Sequence, residues 1–79
     1  MNNRLEWLRK QANVKQETLA EAMGVSRQTI SSIETGKYNP SIILAMKIAR
    51  YFDLTVEEIF IYEEENQYPW FLYDDLFQF

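Results

Sequence analysis

The segment 16–35, QETLAEAMGVSRQTISSIET, constrains the fold of this 79-residue chain more than any other part of it. Two helices that cross at a steep angle through a short turn need a small residue where they approach and a glycine where the chain reverses. Ala20 and Gly24 meet these two needs. Apolar residues that can anchor both helices in a core follow at the right spacing: Leu19, Met23, Val25, Ile30 and Ile33. The segment therefore predicts two helices, over 16–23 and 27–35, packed against each other through a tight turn.

Three further helices are predicted around this pair. The first spans 3–12, because apolar residues recur there at spacings of three and four and form a single inward stripe. The residues of this stripe are Leu5, Leu8 and Ala12. Trp7 and Arg9 lie on other faces of this helix.

The fourth and fifth helices complete the set. The fourth spans 42–52 and follows a serine that can cap it. Its predicted inward residues are Ile42, Ala45, Ile48, Ala49 and Phe52, with Leu44 and Met46 widening the stripe. Thr55 and Glu58 form the pattern of a capping box, which opens a fifth helix. The inward residues of that helix, which runs through residue 60, are Val56, Ile59 and Phe60.

Five short helices with tight joints indicate an all-α fold. The chain is too short for a second core, so we assign 1–62 to one helical domain. Residues 63–79 differ in character, because three glutamates are followed by YPWFLYDDLFQF, which holds six of the chain's twelve aromatic residues. We predict that this part is an acidic and aromatic extension.

The composition argues against catalysis. The chain has no cysteine and no histidine, so thiolate chemistry and the usual acid–base group near neutral pH are both absent. We therefore expect a protein that is not an enzyme, binds no metal and needs no cofactor. The apolar runs are far shorter than the roughly 20 residues of a membrane helix. The N-terminus, MNNRLEWLRK, has no apolar signal core, and together these features predict a cytoplasmic protein.

The charges are divided unevenly along the chain. The net charge is −4, which taken alone argues against nucleic acid as a partner. Residues 1–50, however, hold all eight basic residues against four acids, a balance of +4, whereas 51–79 hold eight acids and no base. This asymmetry suggests that the first part contacts nucleic acid and that the second part has a separate role.

From 8 to 52 the chain reads LRKQANVKQETLAEAMGVSRQTISSIETGKYNPSIILAMKIARYF. This stretch resembles the lambda-repressor/Cro-like family of helix-turn-helix regulators, also called the XRE family, and the resemblance extends over about 4–61. The SRQTIS and GKYNPS motifs resemble those of short, single-domain bacterial and phage regulators. The resemblance implies a lambda-repressor-like bundle of five helices that binds double-stranded operator DNA, mostly as a dimer.

In this family the second helix of the pair, here 27–35, lies in the major groove with its first turn at the bases. With Ile30 and Ile33 committed to the core, the opposite face carries the predicted base-reading residues, Arg27, Gln28, Ser31 and Ser32. Arginine can bond guanine O6 and N7 in bidentate fashion, and glutamine can do the same to adenine.

A second set of residues matches positions at which members of the family contact the DNA backbone. The predicted phosphate contacts are Gln16, Lys37, Tyr38, Asn39, Lys15, Thr29 and Ser41. The chain departs from the family at Lys15, because a serine or threonine usually caps the first motif helix at that position. A missing cap costs about 1 kcal/mol, which a phosphate bound by Lys15 would offset.

The aromatic extension is open to two structural interpretations. Residues 59–62 and 70–73 both favour strands, which would pair as a hairpin or with a partner subunit. Alternatively, Pro69 occupies the first turn of a last helix. We adopt the extended form. The predicted dimer or partner surface comprises Ile61, Tyr62, Trp70, Phe71, Leu72, Tyr73, Leu76 and Phe77.

These observations predict a homodimeric transcriptional regulator that binds a palindromic operator, more specifically a repressor. An alternative function is that of a protein-interaction module, such as an antitoxin or anti-regulator, that holds a protein partner through the acidic aromatic tail.

Overall fold

The computed structural model describes residues 2–61, so the predicted acidic and aromatic extension, with its strand at 70–73 and the interface residues assigned to 62–79, lies outside the described residues. The described chain forms five helices, α1 (Leu5–Gln11), α2 (Gln16–Met23), α3 (Arg27–Glu34), α4 (Ile42–Tyr51) and α5 (Val56–Ile59). Two short strands, β1 (Asn2–Asn3) and β2 (Phe60–Ile61), lie at its two ends. The prediction of a five-helix domain is confirmed. No helix within 2–61 is long and apolar enough to span a membrane.

The core draws apolar side chains from all five helices. Its buried residues are Leu5, Leu19, Ala20, Met23, Ile30, Ile33, Leu44, Ala45, Ile48, Ala49, Ile59 and Phe60. The helices α2 and α3 pack closely against each other, as the segment 16–35 predicts. Because Ile30 and Ile33 are both buried, α3 is held to the core by one face and leaves the other to solvent.

The predicted helix ends are confirmed at the turn between α2 and α3. Gly24 adopts a left-handed conformation with φ of 73°, and the next residue, Val25, donates its backbone N–H to the Ala20 carbonyl over 3.0 Å. Ser26 then caps α3 by accepting a hydrogen bond from the Thr29 backbone N–H. A glycine tolerates this conformation without strain, so the chain reverses within three residues.

The capping box at α5 is also present. The Thr55 hydroxyl accepts a bond from the Glu58 backbone N–H, and the Glu58 carboxylate accepts one from the Thr55 backbone N–H at 3.0 Å. The helix ends at Ile59 and does not include Phe60, because the chain turns extended there and enters β2.

The first helix begins at Leu5 and not at residue 3. Asn3 is extended, and its side-chain oxygen accepts a hydrogen bond from the Leu5 backbone N–H at 3.1 Å. Its side-chain amide donates to the Ile33 carbonyl at 2.8 Å, at the last turn of α3. The buried face of α1 also differs from the prediction, because Arg9 lies on it and Ala12 is exposed.

The prediction that Ile42 and Met46 face inward is wrong. Ile42 is 66% exposed and Met46 is 46% exposed. The stripe that α4 buries consists of Leu44, Ala45, Ile48 and Ala49. At about 100° per residue, Ile42 lies about a quarter turn from the centre of this stripe and Met46 lies farther away, so neither reaches the core.

The strand predicted at 59–62 is present over Phe60–Ile61, and its partner among residues 2–61 is β1. The strand β2 pairs antiparallel with β1, placing Asn2 opposite Ile61 and Asn3 opposite Phe60. The Arg4 backbone N–H extends this contact by donating to the Ile59 carbonyl over 2.8 Å. Strand propensity identifies an extended segment but does not name its neighbour.

Candidate nucleic-acid interface

Because the connection between α2 and α3 is short, the first helical turn of α3 lies at the surface. Arg27 and Gln28 are exposed there, and Ser31 and Ser32 are half-buried one turn later. Gln16, at the start of α2, lines one shallow depression together with Ser26, Arg27, Gln28 and Ser31. The structure thus brings three of the four predicted base-reading residues, Arg27, Gln28 and Ser31, to one concave surface, which we call the α3 face.

The loop after α3 supplies an edge to this face. Tyr38, which is half exposed, lines a neighbouring depression with Ser26, Gln28, Thr29 and Ser32. Lys37, Asn39 and Ser41 are exposed in the same loop. The Ser41 hydroxyl also accepts a hydrogen bond from the Leu44 backbone N–H at 3.2 Å, so it caps α4 as predicted.

Thr29 is part of the cap of α3. Its backbone N–H donates to the Ser26 hydroxyl oxygen at 3.1 Å, and the two hydroxyl oxygens lie 2.9 Å apart. The cap satisfies one of the unpaired N–H groups with which every helix begins. It also fixes the backbone of the turn that carries Arg27 and Gln28.

The start of α2 lacks such a cap. Lys15 occupies the N-cap position without a side-chain hydrogen bond to the helix, as its residue type predicts. Backbone N–H groups at an uncapped helix start, together with the helix dipole, suit a bound anion. A shallow depression around this point is lined by both charged and polar groups: Glu6, Arg9, Lys10, Lys15, Gln16, Glu17 and Arg27.

A chain of hydrogen bonds connects the core to the α3 face. Arg9 donates from Nε to Glu34 Oε2 at 2.7 Å and from a terminal nitrogen to Glu34 Oε1 at 3.2 Å. Gln16 Nε2 donates to the same Oε1 at 3.0 Å. Arg27 Nε in turn donates to Gln16 Oε1 at 3.3 Å. Helices α1, α2 and α3 are therefore joined by one continuous polar network.

The first link of this network, the Arg9–Glu34 pair, is buried. The Arg9 side chain is 11% exposed and the Glu34 side chain is 3% exposed. The hydrogen bond to Glu34 raises the pKa of the Arg9 guanidinium, although burial of Arg9 opposes this rise. Arg9 also donates to the Val14 carbonyl at 2.9 Å, at the end of the turn that leads into α2.

The sequence carried a signal for this pair that the apolar pattern missed. Arg9 is four residues after Leu5, and Glu34 is four residues after Ile30, so each lies on the buried face of its helix. Opposite charges at core-facing positions of two helices predict a buried ion pair. The assignment of residues to base contacts and to phosphate contacts remains a prediction.

Two helices joined by a tight turn, the second presenting a polar first turn to solvent, define a helix-turn-helix protein. The HTH_3 helix-turn-helix family model matches residues 5–59. The chain therefore belongs to this family, which confirms the resemblance drawn from the sequence.

Its relatives bear the same description. An uncharacterised HTH-type transcriptional regulator of Methanocaldococcus jannaschii is 54% identical over 66 residues, which cover 84% of this chain and all of that protein. The HTH-type transcriptional regulator YgzD of Bacillus subtilis, also uncharacterised, is 46% identical over 66 residues and is covered completely.

Solved structures agree with the fold. The restriction-modification controller protein C.AhdI from Aeromonas hydrophila matches with a TM-score of 0.66 and 35% identity over 72% of this chain and 86% of that one. The complex of the SinR and SinI proteins matches with a TM-score of 0.67 and 28% identity over 95% of this chain and 76% of that one. The chain thus has the lambda-repressor-like arrangement of helices.

Proposed function

We propose that the chain is a sequence-specific DNA-binding transcriptional regulator that inserts α3 into the major groove. One observation carries this proposal: α3 is anchored by Ile30 and Ile33 while its capped first turn presents Arg27 and Gln28 to solvent. A helix held in this way can enter a groove about 12 Å wide without exposing the core. The names of its relatives as HTH-type transcriptional regulators support the same function.

Each exposed side chain of α3 has a proposed task. Arg27 donates two hydrogen bonds to guanine O6 and N7, and Gln28 pairs with adenine N6 and N7. The hydroxyls of Ser31 and Ser32 make less selective contacts one turn farther along the groove. No step of this function needs catalysis or a cofactor.

The flanking elements position the helix through phosphates, which carry no sequence information. One strand is held at the uncapped start of α2 by Lys15 and by the backbone N–H of Gln16. The loop after α3 holds the backbone with Lys37, Tyr38 and Asn39, aided by the hydroxyls of Thr29 and Ser41. Because the DNA-reading part is only modestly basic, non-specific affinity is low and base contacts carry more of the binding energy.

Replacing Arg27 with alanine tests the base-reading role. We expect the substitution to cost about 1–3 kcal/mol at one operator position and to remove the preference for guanine there. Operators selected from random DNA would first supply the preferred site, and binding to its single-base variants would then be measured at fixed salt.

Lys37→Ala is the matched control. It should weaken binding to all sequences alike and reduce the salt slope by about one unit, because it removes a phosphate contact and no base contact. Equal loss on every sequence by Arg27→Ala would refute the base-reading assignment.

We further propose that the regulator is a homodimer, acts in the cytoplasm as a repressor, and joins its copies through the extension that follows the helical domain 1–62. Two recognition helices on a dimer read half-sites about 34–36 Å apart, which accounts for a palindromic operator. Ile61, at the end of β2, is 40% exposed and is the one proposed interface residue among those described.

Deleting 66–79 should convert the dimer into a monomer. The reason is that an extension so rich in aromatic residues supplies the apolar area that a stable interface needs. Sedimentation velocity at several protein concentrations checks the result, with far-UV circular dichroism as evidence that the helical domain remains folded.

A dimer that survives this deletion would contradict the tail's role in self-association. The tail would then be assigned to binding a protein partner, which is the second candidate function. The match to a complex of two proteins, SinR with SinI, favours that candidate as the next to examine.

A further inference from the structure

One side of α4 leaves large apolar side chains in solvent. Ile42 and Ile43 are each about two-thirds exposed, and Met46 is nearly half exposed. At about 100° per residue, these three positions lie within about 100° of one another around the helix, so they form one continuous surface. We call this surface the outer α4 face. Neighbouring apolar side chains that remain exposed mark a site of association.

Positive charge borders the outer α4 face. Arg50 lies one turn after Met46 on the same side of the helix, and Lys47 lies at the flank; both are exposed. The helix α4 holds no acidic residue. The Lys47 ammonium donates to the Met23 carbonyl at 3.1 Å, whereas Arg50 forms no ion pair within the described part of the chain. A fitting occupant of this face is therefore both apolar and acidic.

The extension of this same chain has that composition. Residues 62–79 hold five acids and no base. Two of the acids, Asp74 and Asp75, stand between the aromatic stretches 70–73 and 76–79. The extension can therefore place apolar side chains on the outer α4 face and carboxylates beside its cations.

We propose that the extension of one copy binds the outer α4 face of the other copy, so that two exchanged tails hold the dimer together. The inference rests on the homodimer of the proposed function and names the surface that receives the tail. The extension follows Ile61 directly, and α5, which precedes β2, packs against α4. Residues 62–67 can span about 20 Å, which is enough to cross to a neighbouring copy.

The area that a dimer must bury favours this exchange over direct contact between two outer α4 faces. A stable interface buries about 1,200–2,000 Å² in total. The three side chains of the face are too few to supply that area, even from both copies. The extension adds six aromatic residues per copy, each of which can bury about 150–250 Å². Two-fold symmetry lets each copy give its own tail and receive that of its partner.

Ile43→Glu in the full chain tests the receiving surface. The glutamate removes an apolar contact and repels an acidic tail, so we expect the Kd of the dimer to rise about a hundredfold. The fold should be kept, because residue 43 lies in the first turn of α4, where a negative charge is favourable. Sedimentation equilibrium at several protein concentrations measures the Kd, and circular dichroism checks the helices.

Trp7→Glu is the matched control. It makes the same kind of change at a half-exposed apolar side chain of α1, outside the outer α4 face. The Kd of the dimer should not change.

Mixing two full-length variants distinguishes exchange between copies from binding within one copy. The double substitution Trp70→Glu with Phe77→Glu keeps the outer α4 face and disables the tail, whereas Ile43→Glu keeps the tail and disables the face. Each variant alone should be largely monomeric. Together they should form a one-to-one heterodimer, because the tail of one variant binds the face of the other. Sedimentation velocity of the mixture detects this species.

Four results would overturn the inference. An Ile43→Glu dimer as tight as the parent would remove the outer α4 face from the interface. A mixture that stays monomeric would mean that each tail binds its own copy. A tail variant that still dimerises, beside a monomeric Ile43→Glu, would mean that two outer α4 faces meet directly. A parent chain that is itself monomeric would refute the proposed homodimer and the inference with it, whereas the first three results leave the homodimer standing.

Discussion

Replacing Arg9 with methionine is expected to lower the free energy of unfolding by about 3–5 kcal/mol. The substitution leaves the Glu34 carboxylate, whose side chain is 3% exposed, without its charged partner. It also removes the bond from Arg9 to the Val14 carbonyl, which ties α1 to the turn before α2. Because small domains are stable by about 5–15 kcal/mol, this loss would remove a large share of the total stability. Urea unfolding followed by circular dichroism measures it.

The double substitution Arg9→Met with Glu34→Leu tests whether the loss comes from the unpaired charge. A buried pair replaced by apolar residues of similar size is often as stable as the original, so the double variant should recover most of the loss. Lys10→Met serves as the surface control, because Lys10 and its partner Glu6 are more than half exposed and should contribute little. A double variant as unstable as Arg9→Met would contradict the assignment of the cost to an unpaired charge.

The contribution of Arg9 should not vary over the ordinary pH range. The hydrogen bond to Glu34 holds the pKa of the Arg9 guanidinium above its ordinary value in the folded protein. A raised pKa gives stability that is complete below the unfolded value and is lost only as the pH rises through the folded one. Arg9 therefore stays charged between pH 6 and pH 8 and adds no pH dependence to the stability of the parent protein over that range.

Ile48→Ala is expected to destabilise the domain by about 2–5 kcal/mol. Ile48 is fully buried in the middle of α4, so truncation removes apolar contacts and leaves a cavity among tightly packed neighbours. Ile42→Ala makes the same chemical change in the same helix at a side chain that is 66% exposed. It should shift stability by no more than about 0.5 kcal/mol. Chemical denaturation of both variants checks the pair, and equal costs would mean that the burial of α4 is wrongly assigned.

The helix-turn-helix unit could be predicted from the sequence because its constraints are local. Gly24 supplies the left-handed turn and Ser26 the cap, and both act on residues within one turn of themselves. Helical periodicity then identified Ile30 and Ile33 as the buried side of α3, which left Arg27 and Gln28 outside. The candidate interface follows from these few facts and from the family resemblance.

Other features depend on contacts between distant residues, which local patterns do not contain. The partner of β2 is residues 2–3, almost the whole described chain away, and strand propensity at residues 60–61 says nothing about them. Periodicity gives the angle of Ile42 around α4 but not the neighbours that it meets. The Arg9–Glu34 pair was missed because an apolar stripe counts only apolar residues, although a charged side chain can occupy a core position when its counterpart does too.

The pairing of β1 with β2 has a consequence for how the described domain opens. Chain ends are ordinarily the first parts of a small domain to fray. Here the two ends of the described domain, β1 and β2, pair with each other. The Asn3 side-chain amide also donates a hydrogen bond to the Ile33 carbonyl in the last turn of α3. Separation of β1 would therefore release β2 and also break the hydrogen bond to the last turn of α3. The last turn of α3, the helix that we propose contacts the bases through its first turn, is thus bonded to the paired strands β1 and β2 through Asn3.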